Sequence, residues 1–214
     1  MAATRRFQLG TPRAFNITDD ASVVTFLRSD HGRDSVNSLW VFDLAKNLER
    51  KVIDPRALLA DTEDIPAAER ARRERMRETT GGITSYSASS NGQRLAFALA
   101  GKLFTFNLDS ENISEIAVEG PIIDPQISPD GEHIAWSDGL NIKICNFAGT
   151  QIKSLTDEVQ ENRVWGLADF IAAEEFGRMR GLWWSPSGTE LIAQCTDDSG
   201  VNAWWISDPA NPES

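Results

Sequence analysis

The chain has 214 residues, of which 41% are apolar and 25% charged, enough for a sizeable core in one or two domains. Its net charge of −11 and pI of about 4.7 exclude nucleic acid as the main partner, because phosphate binding needs clustered Lys and Arg. No apolar run reaches the roughly 18 residues of a membrane span. MAATRRFQLG also lacks the apolar core of a secretory signal, so no membrane partner and a cytoplasmic location are expected.

One pattern returns four times along the chain. It reads ITDDASVVTFLRS with SLWVFDL, then SASSNGQRLAFAL with KLFTFNL. It continues as QISPDGEHIAWSD with NIKICNF, and ends as WWSPSGTELIAQCTD with NAWWISD. The turns at Asp20-Ala21, Asn91-Gly92, Asp130-Gly131 and Ser187-Gly188 are equivalent, and the alternating apolar residues around each predict a hairpin. A further strand follows in three copies, at Arg50 to Asp54, Ile113 to Val118 and Gln151 to Thr156. Four strands per unit of about 40 residues predict an all-β fold, a β-propeller with about four blades of four antiparallel strands. An immunoglobulin-like sandwich would not repeat its turn so regularly. Arg5 to Leu9 reads as a strand able to complete the last copy, unless the ring continues in other residues. An open run of blades leaves edges that favour self-association into a homo-oligomer.

The repeat spacing marks two insertions. Gly92 and Gly131 are one plain blade apart, whereas the intervals from Ala21 to Gly92 and from Gly131 to Gly188 are longer. The extra residues are 55–82 and 157–181, both placed between the last strand of one blade and the first of the next. Equivalent connections lie on one face, so both insertions are expected near the mouth of the channel.

The first insertion, PRALLADTEDIPAAERARRERMRETTGG, predicts a helix from Ala67 to Glu78, with Asp64 as a cap and Pro66 in the first turn. It carries Arg70, Arg72, Arg73, Arg75 and Arg77, which a solvated helix with i,i+4 pairs would also carry. The second insertion holds GLADFIAAEEFGRMRGLWWSPSG, with a short helix expected from Leu167 to Phe176. Glu174 and Glu175 sit near its end. Adjacent acids are usually a plain surface pair. These two have apolar neighbours (Phe170, Ile171, Phe176), stand where the helix dipole disfavours negative charge, and interrupt a repeat. A basic and an acidic insertion aimed at one channel mouth look complementary.

Chemistry that breaks bonds is not encoded in these residues. There is no G-x-S-x-G nucleophile, no P-loop, no H-E-x-x-H and no Cys/His cluster, so no catalytic residue, metal or cofactor is expected in the chain. His31 and His133 lie at hairpin turns and read as solvent-facing. Cys145 and Cys195 lie in apolar runs and read as buried thiols. Tryptophans such as Trp136 and Trp165 read as packing.

GLADFIAAEEFGRMRGLWWSPSG resembles the glutamate-pair helix of the dipeptidyl peptidase IV family of prolyl oligopeptidase-type serine peptidases. ERARRERMRETTGGITSY resembles the arginine-bearing helix of the same family, nearest its cytosolic dipeptidyl peptidase eight and nine branch and bacterial relatives. The two runs occur in the family's order, and the resemblance covers nearly the whole chain. It implies the first half of an eight-bladed propeller, whose partner is an α/β-hydrolase domain with Ser, Asp and His outside this chain. The implied function is the substrate-gating, N-terminus-recognising part of an enzyme that releases Xaa-Pro or Xaa-Ala dipeptides from peptides with a free N-terminus. Glu174 and Glu175 would hold the α-ammonium, and Arg75 or Arg77 would reach a backbone carbonyl, with nothing to choose between these two. Ala173 departs from the vertebrate enzymes, which have a third acid there. The alternatives are a non-catalytic propeller that binds proteins or peptides, and the propeller of another prolyl oligopeptidase-type peptidase.

Overall fold

The computed structural model describes residues 2–58, 70, 73–75 and 77–202. Its repeating unit starts at the turn. Thr18, Ser89, Ser128 and Ser185 occupy the same place in the four copies. In each, the backbone N–H of the residue three further on (Ala21, Gly92, Gly131, Gly188) donates to that Ser or Thr carbonyl, at 2.8–2.9 Å. The hydroxyl then accepts the N–H of Val23, Arg94, His133 or Glu190 at 2.9–3.1 Å. The closing residue is left-handed in every copy, with φ of +53° at Ala21 and +71°, +77° and +73° at the three glycines. Glycine adopts that conformation without a Cβ clash, which explains its use in three of the four turns.

Each turn launches an antiparallel meander. The first blade is β1 (Arg13–Ile17), β2 (Val23–Ser29), β3 (Val36–Asp43) and β4 (Leu48–Ile53), hydrogen-bonded in that order. A short helix α1 (Pro55–Leu58) follows, and β5 (Gly81–Gly82) runs parallel to the start of β3. The second blade is β6 (Ser87–Ala88), β7 (Arg94–Leu99), β8 (Lys102–Asn107) and β9 (Asn112–Ile116). The third is β10 (Ile123–Ile127), β11 (His133–Ser137), β12 (Ile142–Asn146) and β13 (Lys153–Ser154).

The blades stack face to face, and strand alternation decides which neighbour each side chain meets. On β7, Leu95, Phe97 and Leu99 pack with Leu27, Leu39 and Val41 of the first blade, while Ala96 points the other way with Ile127, Ile134 and Trp136 of the third. On β11, Trp136 faces the second blade and Ala135 faces the fourth, where it meets Leu182. Both faces of these strands are therefore buried. Removing a side chain such as Phe97 from water contributes about 2–3 kcal/mol.

The fourth blade departs from the meander. Its first strand is in two pieces, β14 (Arg163–Trp165) and β15 (Leu182–Trp184), with helix α2 (Phe170–Glu174) between them. β15 pairs with β16 (Leu191–Ala193) and β14 pairs with β17 (Cys195–Asp197), which continues β16 after Gln194. The excursion is therefore narrower than the expected insertion of 157–181, since Arg163–Trp165 belong to the sheet. It opens within a strand, not between blades.

Other expectations need correction. Arg5 to Leu9 is a turn, not a strand: Arg5, Arg6 and Phe7 are left-handed, and Gln8 and Leu9 donate back to the Thr4 carbonyl. α2 is shorter than the predicted Leu167 to Phe176 helix, because Asp169 caps its start and Glu175 its end. The expected helix from Ala67 to Glu78 lies mostly outside the described residues. Arg70 and 73–75 have helical backbone, and the helix has ended by Arg77, whose φ is +52°. Cys195 is exposed, because the packing of the fourth blade against the third reaches Ala193 and stops. His133 is half-buried, with its ring 6.4 Å from that of Trp184. The third strand expected at NAWWISD lies beyond residue 202, outside the described residues, apart from Asn202.

Candidate acid-pair site

The excursion from 167 to 180 has a pinched neck. Gly166 donates its N–H to the Gln194 carbonyl at 2.9 Å, and Gln194 donates to the Gly181 carbonyl at 2.8 Å, so one residue holds both sides. Leu167 and Arg180 bridge across the neck. A Cβ on Gly181 would lie 2.4 Å from the backbone nitrogen and carbonyl carbon of Leu167, so only glycine fits.

The site of the excursion is not arbitrary. β1 and β10 each have an irregularity in the same part of the strand, where Ala14 and Asp124 are left-handed (φ +53° and +49°). Ala14 and Asp124 precede their turn residues Ala21 and Gly131 by the same interval by which Gly181 precedes Gly188. The fourth blade thus opens its first strand where two other blades carry a bulge.

Asp169 caps α2 by accepting the Ala172 N–H at 2.8 Å. That bond and the Gln194 side-chain amide hold the Asp169 carboxyl below the usual carboxylate range. The last turn closes with Glu175 N–H to Ile171 O at 2.9 Å and Arg178 N–H to Ala172 O at 2.9 Å. Ala172 and Ala173 face inward, both 4% exposed. The position where the resemblance places a third acid is thus a packing position here. Glu174, Glu175 and their apolar neighbours Phe170, Ile171 and Phe176 face outward, the last three 63%, 60% and 79% exposed.

The two glutamates differ from most acids in the structure. Among the described residues, neither side chain has a hydrogen bond or an ion pair, whereas Asp30, Asp34, Glu49, Glu78, Glu115, Asp124 and Asp197 are all paired with a base. They share the negative end of a short helix, so a cation placed between them would relieve both the repulsion and the unfavourable dipole.

The excursion is anchored on the third blade as well. Arg180 donates Nε to Asp124 Oδ2 at 3.3 Å, and Asp124 is buried and also accepts from Gln126 Nε2 at 3.0 Å.

Arg75 and Arg77 are exposed on the other insertion. Arg77 borders a cleft of about 670 Å³ together with Arg5, Arg6, Arg13, Glu78 and Thr80. Arg13 pairs with Glu78 and donates to Thr80 Oγ1 at 3.0 Å, fastening the N-terminal segment to this cleft. The structure brings Glu174 beside Glu175, and Arg75 near Arg77. No hydrogen bond or ion pair joins either arginine to either glutamate. Arg73, in the same basic run, is buried rather than solvated. Among the described residues no group of three or more His, Cys, Asp or Glu is placed to hold a metal ion, and no helix is long and apolar enough to cross a membrane.

Sequence reasoning missed Gln194, Arg178 and Arg180. It also missed Asp169, placing the helix start at Leu167, although an Asp just before an apolar helical run is an N-cap signal. The other three act across strands, and no local pattern announces them.

Fold and site together define a run of propeller blades, one of which is opened to display a pair of unneutralised acids. A profile of the dipeptidyl peptidase IV (DPP IV) N-terminal region matches residues 81–214, and the chain belongs to that family. Dipeptidyl peptidase 8 of Homo sapiens is 25% identical over 214 aligned positions, which cover 83% of this chain and 24% of that protein. The crystal structure of Porphyromonas gingivalis dipeptidyl peptidase 4 superposes with a TM-score of 0.59 at 18% identity, over 89% of this chain and 26% of that one. The likeness establishes the propeller fold. The chain spans about a quarter of the length of these relatives.

Proposed function

We propose that this chain is the N-terminus-recognising and substrate-gating part of the propeller of a serine dipeptidyl peptidase, cytoplasmic in location, that releases Xaa-Pro or Xaa-Ala dipeptides. Its partners in this reading are peptides with a free N-terminus and an α/β-hydrolase domain that supplies the nucleophile. The observation that carries the reading is the exposed, unpaired Glu174-Glu175 on a helix held out from a blade. A peptide N-terminus has a pKa near 8 and is largely cationic at neutral pH. Two carboxylates around it give charge-assisted hydrogen bonds. Fixing the ammonium also fixes how far the chain extends toward a nucleophile, which selects the second peptide bond. Arg75 and Arg77 are the candidates for a backbone carbonyl of the same peptide.

The test uses the whole protein and compares Glu174→Gln and Glu175→Gln with wild type on H-Ala-Pro and N-acetyl-Ala-Pro reporters. Each change is expected to lower kcat/KM for the free amine by roughly 30- to 1000-fold, the scale of losing one partner of a charged hydrogen bond. Unchanged preference for the free amine in both variants would remove the ammonium-binding role. A second reading, a propeller that binds peptide N-termini without cleaving them, is favoured by the apolar surface of Phe170, Ile171 and Phe176 beside the acids. It predicts that the whole protein binds both peptides and hydrolyses neither.

A further inference from the structure

We propose that Gln194 is the positioning residue of the acid pair, a neutral clasp that holds both ends of the helical segment bearing Glu174 and Glu175. The inference rests on the reading of those glutamates as an ammonium site. Gln194 sits between β16 and β17, and its backbone already closes the neck of the excursion on both sides. Its side chain then reaches out of the strand. Nε2 donates to Asp169 Oδ2 at 2.7 Å and to Thr196 Oγ1 at 3.0 Å, and Oε1 accepts from Arg178 Nη2 at 2.5 Å.

These partners specify the side chain. A carboxylate only accepts and a guanidinium only donates, so one orientation of the amide satisfies both. The clasp needs a neutral group with a donor and an acceptor at the end of a long side chain. A glutamate would repel Asp169, and a lysine would repel Arg178.

Asp169 is the N-cap of α2, and Arg178 closes its far end through its N–H to Ala172 O. One amide therefore ties the start and the finish of the segment to a strand of the blade. It also keeps Arg178 occupied. Arg178 lies four residues after Glu174 and three after Glu175, just past the left-handed Gly177 that follows the end of α2, so it is a base close in the chain to both acids. Its guanidinium is engaged by Gln194, by the Arg180 carbonyl at 2.7 Å, by the Asp169 carboxylate at 3.9 Å and by the face of Trp183, with the ring centroid 5.6 Å away. Released from the clasp, Arg178 becomes a competitor for the carboxylates that the substrate ammonium needs.

The experiment measures, in the whole protein, the ratio of kcat/KM on the free-amine reporter to that on its N-acetylated form. Gln194→Met and Gln194→Glu are expected to lower the ratio at least fivefold while leaving the N-acetylated reporter within twofold of wild type. Adding Asp169→Asn to Gln194→Glu restores a donor facing an acceptor and retains an N-cap, so the double variant is expected to recover the ratio to within twofold. A purely structural role would lower both reporters together and would leave the double variant no better than the single, and either result overturns the proposal. So does an unchanged ratio in the Gln194 variants. If Glu174→Gln lowers the ratio in the same assay, that outcome removes Gln194 alone. If Glu174→Gln leaves the ratio unchanged too, the ammonium site falls and the clasp with it.

Discussion

Replacing Gly181 by alanine tests the geometry of the neck directly. The added methyl group would sit 2.4 Å from the Leu167 nitrogen and carbonyl carbon, against a normal contact of about 3.4 Å or more. The obstruction is backbone, so no side chain can swing away. Relief requires the two limbs of the excursion to part by about 1 Å, which loosens the Leu167–Arg180 bridge and the Gln194 N–H bond to Gly181. Overpacking of this kind costs about 1–3 kcal/mol, and a weakened backbone bond about 1 kcal/mol, so a loss of about 2–3 kcal/mol is expected. Guanidinium denaturation of the chain, followed by tryptophan fluorescence, reads this as a midpoint lowered by about 0.5 M for a slope of about 5 kcal/mol/M. Gly200→Ala is the control: nothing lies within 4 Å of its added methyl and its φ is not left-handed, so a change within about 0.5 kcal/mol is expected. If the two variants unfold at the same midpoint, the pinched neck is not a constraint and the argument for glycine there fails.

The turn repeat gives a graded expectation. Ser128→Ala strips a fully buried hydroxyl that serves both His133 N–H and Asp130, and should cost about 1–3 kcal/mol, whereas Ser185→Ala, half-buried, should cost less, with denaturation midpoints setting the order. Glu78 predicts part of the acid sensitivity. Burial pushes its carboxyl up, but Thr80 and Arg13 together outweigh burial and leave it below the usual value. Its contribution is complete above the unfolded pKa near 4.5 and is lost as pH falls through the lower folded value, so Glu78→Gln should flatten midpoint against pH below about 4.5. Burial pushes the Cys145 thiol up to about 11, and Cys195 is exposed, so a thiol reagent should titrate one cysteine in the native chain and two after denaturation.

Much of the fold was legible because the turn is a local device. The Ser/Thr that opens it, the Asp, Asn or Ser two residues later and the left-handed closing residue all lie within a few positions, and apolar alternation on either side reports burial directly. Glu174 and Glu175 stood out for a similar reason, as acids beside apolar residues where the blade spacing lengthened. The split first strand was not legible. Its halves, Arg163–Trp165 and Leu182–Trp184, are far apart in sequence and become one strand only against Leu191 to Asp197. Cys195 was misread because it continues an apolar run past the point where another blade covers it. Arg5 to Leu9 reads as the strand missing from the last copy, but its left-handed residues and bonds back to Thr4 make it a turn. Gln194 carries no sequence signal, since its importance comes from two charges that only the tertiary structure brings to it.

The way the excursion leaves the sheet also makes it a graft point. Both flanking pieces stay paired to one continuous strand, and Gln194 holds the two exits side by side, so strand pairing is kept on either side of the excursion. Added length in its exposed part, away from Ala172, Ala173 and Arg180, costs mainly a loop-closure entropy of about 0.6 kcal/mol for each doubling. The bulges at Ala14 and Asp124 occupy the same station in two other blades. The first strand of a blade thus departs from regular pairing at one fixed station, by a single left-handed residue in two blades and by a whole helical segment in the fourth.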